Sequence, residues 1–258
     1  DWPVTVNAPL DWNLPEVFAK RRGGSMDLKS IEERAKPADL VAKISVANPS
    51  FAQEWMDDRT RTQAVVWLLK NAKPKLLLLH LVDLDSEQHD NAPFSKESIA
   101  ILEYIDSMIG DIVQAMPKGT AFALVSDHGF EKVERIVNPK AAAPHAIQSP
   151  GLVIAPDAAT ATALRGQDGV GREVPKQEYE SFASNLPKNP VAVFEPAPNV
   201  MFGAKAGKAE EIGNHGHWPT RYRSVYVLWG PGIKHENLPE CALHDIAGRL
   251  AKVLGVAF

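Results

Sequence analysis

Apolar positions along the chain change period several times, and the changes lay out helices alternating with strands. The stretch FAQEWMDDRTRTQAVVWLLKNA after Asn48-Pro49 predicts a helix; Asn48 can cap it, Pro49 suits its first turn and Pro74 ends it. KLLLLHLVDLD, from Lys75 to Asp85, is a short apolar run with no polar helical face, the pattern of a buried strand. Ser95 can cap the next helix, in which Ile101, Ile105, Met108, Ile109, Ile112 and Met116 fall on one face. Gly110 weakens that helix slightly, and Pro117-Lys118-Gly119 breaks the chain. TAFALVSDHG reads as a buried strand running into a polar tetrapeptide. PGLVIAP, PVAVFEP and SVYVLWGPG read as further short strands, and Ala242 to Leu254 as a closing helix.

Such alternation implies an α/β chain with a mainly parallel sheet and helices on both faces. Ligands in sheets of this kind bind outside the carboxyl ends of the strands. Residues 156–208 are richer in Ala, Gly and Pro. They are expected to form an inserted or capping region with poorly defined elements, between core segments 1–155 and 209–258. No internal repeat is found.

Composition narrows the class. The 258 residues are 45% hydrophobic, enough to bury a sizeable core. A net charge of -4 gives no basic face for a nucleic-acid polymer. Cys241 is the only cysteine, so no internal disulfide can form. No apolar run approaches the ~18–20 residues of a membrane span. The sequence opens at Asp1 without a basic-then-apolar leader, so it reads as mature, trimmed or a fragment.

Three polar segments stand at strand ends: Asp83 to Asp90, with Asp85 and His89 four apart; Ser126-Asp127-His128-Gly129; and Gly213-Asn214-His215-Gly216-His217. Imidazole and carboxylate suit zinc, and a shell without cysteine suits a catalytic rather than a structural site. Each segment alone is a commonplace of surface loops; three of them at strand ends in one α/β chain point to a metal centre. Asp83 rivals Asp85 as a ligand, or orients one by hydrogen bond.

LLLLHLVDLDSEQH, LVSDHGF and GNHGHWP, in that order, resemble the nucleotide pyrophosphatase/phosphodiesterase family of the alkaline phosphatase superfamily. SVYVLWGPGIK and LHDIAGRLAKVLGV resemble its closing strand and helix, and DWPVTVNAPLDWNLPE its middle segment. The resemblance implies a three-layer α/β/α alkaline-phosphatase-like fold with the N-terminal units missing. It implies two zinc ions, with Asp85, His89 and His215 as ligands of one and Asp127 and His128 as two ligands of the other. The reaction it implies is two-metal hydrolysis of phosphodiester or pyrophosphate bonds in nucleotide-type small molecules. The family's threonine nucleophile and first-strand aspartate match nothing here, so no catalytic residue is assigned; Thr5 is not at the nucleophile position. Exported members imply a periplasmic or extracellular location. Alternatives are a phosphonoacetate-hydrolase-like enzyme, a phosphomonoesterase, or a metal-binding pseudoenzyme or inactive fragment.

The remaining histidines read differently. His80 is expected in the core or beside a ligand; His145, His235 and His244 read as structural or surface residues. His217 and Trp218 are candidates for substrate contact, as is Trp12. Trp2, Trp55, Trp67 and Trp229 read as core or interface, and Asp245 as a helix-start charge.

Overall fold

The computed structural model describes residues 10–15, 28–51, 56–182 and 189–257. Trp2, Thr5 and Trp55 lie outside the described residues. The chain divides into two compact units: residues 1–85 with 100–120, and residues 86–99 with 121–258.

The first unit is helical. It contains α1 (Leu28–Arg34), α2 (Leu40–Ala47) and α3 (Asp58–Asn71), the start of α4 (Asp83–Asn91) and most of α5 (Lys96–Ala115). Ile31, Leu40, Val41, Ile44, Phe51, Met56 and Ala64 form its core, with Trp12 and Trp67 packed against it. The helix expected from Pro49 begins instead at Asp58. Asp57 caps it by accepting from the Thr60 N–H at 2.7 Å, and Asn48 is the C-cap of α2. Asp57 and Thr60 are three apart, the spacing at which a carboxylate closes a helix start. Ser95 caps α5 as expected, accepting from the Ser98 N–H at 3.0 Å, and Ile105, Met108 and Ile112 on that helix are buried.

Residues 75–82 are not assigned to a strand and pair with no described strand. Leu76 and Leu78 are 57% and 66% exposed, while Leu77 and Leu79 are half-buried. That alternation is the mark of an extended segment covered on one face. A buried strand needs partners on its edges and cover on both faces, so the apolar run alone overstated its burial. His80 falls on the exposed side, not in a core.

The second unit holds the sheets. Its strands are β1 (Phe122–Val125), β2 (Glu131–Lys132), β3 (Arg135–Val137), β4 (Ile147–Ser149), β5 (Leu152–Ala155), β6 (Val170–Glu173), β7 (Ala192–Pro196), β8 (Val200–Phe202), β9 (Gly207–Lys208), β10 (Gly213–Asn214) and β11 (Tyr226–Trp229). Its further helices are α6 (Ala158–Leu164), α7 (Lys176–Phe182) and α8 (Asp245–Leu254). β5, β7 and β6 are neighbours in a four-stranded sheet with β4 at one edge, and β8, β3 and β9 form another sheet. β1 pairs antiparallel with β11, and β2 with β10.

Among the described residues one pairing is parallel, β3 with β8. The mainly parallel arrangement expected from strand–helix alternation is therefore confined, among them, to that pair. Residues 156–208 carry defined elements, contrary to the expectation. β7 is buried throughout, with Phe194 in a core that includes Val153, Leu164 and Phe202. No described helix is long and apolar enough to cross a membrane.

Candidate metal centre

The first polar segment is a helix, α4, rather than the loop after a strand. Its start is built by Asp58, which is fully buried and accepts from the backbone N–H groups of Val82 (2.8 Å) and Asp83 (2.9 Å). Arg61 pairs with the same carboxylate at 2.8 Å. In return, Asp83 accepts from the Asp58 N–H at 3.1 Å. Asp83 thus serves this junction. Burial, with the charge of Asp58 adding to it, pushes its carboxyl up to about 6. The helix then carries Asp85 and His89 on one face, because residues four apart lie one turn above another.

His89 Nδ1 lies 3.0 Å from the Gly213 carbonyl oxygen and 3.3 Å from the Glu211 carboxylate. A carbonyl can only accept, so the proton of this bond sits on Nδ1 and Nε2 keeps its lone pair, the arrangement of a metal-ligating histidine. Gly213 is required for this approach. A Cβ there would lie 2.0 Å from the Gln88 carbonyl oxygen and 2.9 Å from Ala92 Cα.

β10 leads from Gly213 through Asn214 to His215. Asn214 Oδ1 accepts from the His215 N–H at 2.8 Å, and Asn214 Nδ2 donates to Glu211 at 3.0 Å. Asp85, His89 and His215 each offer one ligand atom, all within 4.8 Å of one another. Two ligand atoms on a tetrahedral zinc stand about 3.3 Å apart, from bonds of about 2.0–2.1 Å. One carboxylate and two imidazoles are the donor set of a catalytic zinc, which would draw these atoms closer by up to about 1.5 Å.

The second segment follows β1. His128 stacks on His215 with ring centroids 3.7 Å apart and an interplanar angle of 11°. Its Nδ1 is 3.2 Å from the Gly129 oxygen and its Nε2 3.5 Å from Asp127. Asp127 is mostly exposed. Asp127 and His128 stand beside the three-donor group and do not complete a second group of three donors among the described residues. Phe130 makes ring contacts with His89, His128 and His215. No pattern in the sequence pointed to Phe130, Glu211 or Asp58, each of which has a partner distant in the chain.

His217 and Trp218, both candidates for substrate contact, are each 5% exposed. Burial holds the His217 imidazole below its usual range, and its Nε2 is 3.3 Å from the Val200 oxygen. Trp218 packs with Ile154, Val174, Tyr179 and Val193, and its Nε1 donates to Glu178. Glu178 is held at about 2, chiefly by the hydrogen bonds from Arg172, which also pairs with Glu195 at 2.7 Å. Trp12 packs on the helical core instead. His145, His235 and His244 are exposed.

A family model described as type I phosphodiesterase/nucleotide pyrophosphatase matches residues 32–222. Among solved structures, murine ectonucleotide pyrophosphatase/phosphodiesterase 5 is similar with a TM-score of 0.59 at 16% identity. That alignment covers 77% of this chain and 59% of the murine protein, so the chain spans about three fifths of that relative. The human counterpart gives a TM-score of 0.57 at 18% identity over 77% of this chain and 59% of its own. An inactive variant of the murine protein in complex with AMP gives 0.55 at 15%, covering 75% and 59% of the two chains. A search of curated proteins found no match. The structural likenesses establish an α/β fold of the alkaline-phosphatase type.

Proposed function

The chain belongs to the type I phosphodiesterase/nucleotide pyrophosphatase family, and from that premise we propose that it forms the metal-binding part of a zinc-dependent hydrolase of phosphodiester or pyrophosphate bonds. The observation that carries this reading is the convergence of Asp85, His89 and His215 within 4.8 Å. These three residues hold one ion. Asp127 and His128 contribute to a second, and the stacking of His128 on His215 keeps the two sets adjacent. Bound there, zinc supplies Lewis-acid compensation for charge on phosphoryl oxygens.

The chain's own residues do the rest of the work described here. The Gly213 carbonyl and Glu211 fix the tautomer and plane of His89, which keeps Nε2 aimed at the donor group. Phe130 covers the three imidazoles with an apolar ring, which limits water around them and strengthens charge interactions at the site. The burial of His217 and Trp218 fits an anchoring role for the His215 loop better than substrate contact. The attacking group is not assigned to a residue of this sequence. Residues 156–208 are an insertion in the core formed by 1–155 and 209–258.

A nucleotide-type small molecule is the substrate. The AMP complex of the murine relative supports this, as does the absence of a basic balance in this chain. The ectonucleotide names of the relatives support an exported location. The test is hydrolysis of bis(p-nitrophenyl) phosphate by the whole hydrolase of which this chain forms the metal-binding part, after chelation and after return of zinc. Activity that falls with chelation, returns with zinc and is absent in His89→Ala is the expected result. Hydrolysis unaffected by chelation would remove the metal from the account.

A further inference from the structure

Tyr222 belongs to none of the three polar segments, yet it touches two of them. Its hydroxyl oxygen accepts from the backbone N–H of Gly216 at 2.9 Å and of His217 at 3.1 Å. These are the two residues that follow His215. The same ring lies against Gly129, the residue after Asp127-His128. A Cβ at Gly129 would stand 2.7 Å from Tyr222 Cδ2 and 3.1 Å from Cγ, so only glycine admits the ring this close.

The position of Tyr222 is itself fixed by the residues that lead into it. Arg221 pairs with Glu131, two residues beyond Gly129, and donates to the Pro196 oxygen at 2.7 Å. Trp218 is sunk in the core of Ile154, Val174, Tyr179 and Val193. A short segment tied at Trp218 and Arg221 therefore presents one aromatic ring to the His128 loop and one hydroxyl to the His215 loop. Burial raises the Tyr222 phenol above its usual range, so the oxygen stays neutral while accepting both N–H groups.

We propose that Tyr222 is a positioning residue that sets the spacing between the Asp127-His128 loop and the His215 loop, and through it the geometry of the metal-binding groups. The proposal rests on reading those loops as metal-binding. The phenylalanine ring of Tyr222→Phe keeps the contact with Gly129 and loses the acceptor for two N–H groups. Gly129→Ala acts from the other loop, since the added methyl group must push the ring away. Tyr226 provides the control: its hydroxyl is buried and accepts no hydrogen bond from the described residues, so Tyr226→Phe makes the same chemical change without removing an acceptor from either loop.

The experiment is cobalt(II) titration of the full chain and these variants, read by visible ligand-field absorption, with melting of the metal-free forms followed in parallel. Tyr222→Phe and Gly129→Ala should each weaken cobalt binding about 10- to 100-fold and shift the absorption band, as losses of ligand-orienting groups do. Tyr226→Phe should match wild type. If Tyr222→Phe fails to fold, Gly129→Ala decides the matter by the same readout. Unchanged affinity and band position in folded variants, even with a lowered melting temperature, would overturn the proposal and leave Tyr222 a packing residue. A wild-type chain that binds no cobalt would overturn instead the metal-binding reading on which it rests.

Discussion

Gly213→Ala adds one methyl group at the tightest approach in the candidate centre. That carbon would lie 2.0 Å from the Gln88 carbonyl oxygen, whereas an ordinary carbon–oxygen contact begins near about 3.3 Å. Either the loop or α4 must retreat by roughly 1.3 Å. The neighbour is backbone, within a helix, so no side-chain rotation can relieve it. The 3.0 Å link from His89 Nδ1 to the Gly213 oxygen stretches with that retreat to beyond hydrogen-bond range. His89 then loses the group that fixes its tautomer and plane, and His215 moves with the strand that carries it. The expected loss is about 10- to 100-fold in zinc affinity, with an overpacking cost of about 1–3 kcal/mol in stability. Zinc affinity is measured by competition with a chromophoric chelator, and stability by chemical unfolding in excess EDTA. A variant that folds and binds zinc as wild type would refute the argument that this close approach orients His89.

Other substitutions probe the scaffold. Asp83, raised to about 6 in the native state, titrates near ~3.9 when unfolded, so stability present below pH ~4 is lost as pH rises through about 6. Asp83→Asn keeps an oxygen for the Asp58 N–H, and in EDTA it should gain about 1–2 kcal/mol at pH ~7.5, after discounting for partial exposure, and flatten the decline between pH ~4 and ~6; an unchanged pH profile in urea unfolding would contradict the assignment. Gly110→Ala lies mid-helix in α5 with open space around the new carbon and should stabilise by about 0.5–1 kcal/mol in thermal melts. Protons compete with metal for imidazole nitrogens, so bound zinc should be released between pH ~7 and ~4, and retention at pH ~4 under dialysis would count against histidine ligation.

The elements legible in the sequence were those whose cause is local. The apolar face of α5 with Ser95 at its head and the run that becomes β7 both follow from residues within a turn or two of each other, whereas the helix that carries Asp85 and His89 was read as a strand end. The apolar run at 75–82 was misread because a strand is completed by partners elsewhere, and the run itself cannot say whether both faces will be covered. The same limit hid Asp58, which organises the start of α4 from 24 and 25 residues away. Tyr222 gave no signal at all, since its two contacts lie on loops separated by the whole of β3 to β9. His217 and Trp218 looked like site residues because of their neighbour His215. Burial is decided by what packs on a loop, and the sheet of β4 to β7 packs on this one.

The central claim is that Asp85, His89 and His215 bind zinc together. The most direct measurement is zinc content per chain after dialysis against zinc, for wild type and for Asp85→Asn combined with His215→Ala. The account predicts about one to two zinc ions in the wild-type chain, with the ion at this centre lost in the double variant while the protein remains folded. Equal zinc in both, or none in a folded wild-type chain, would contradict it.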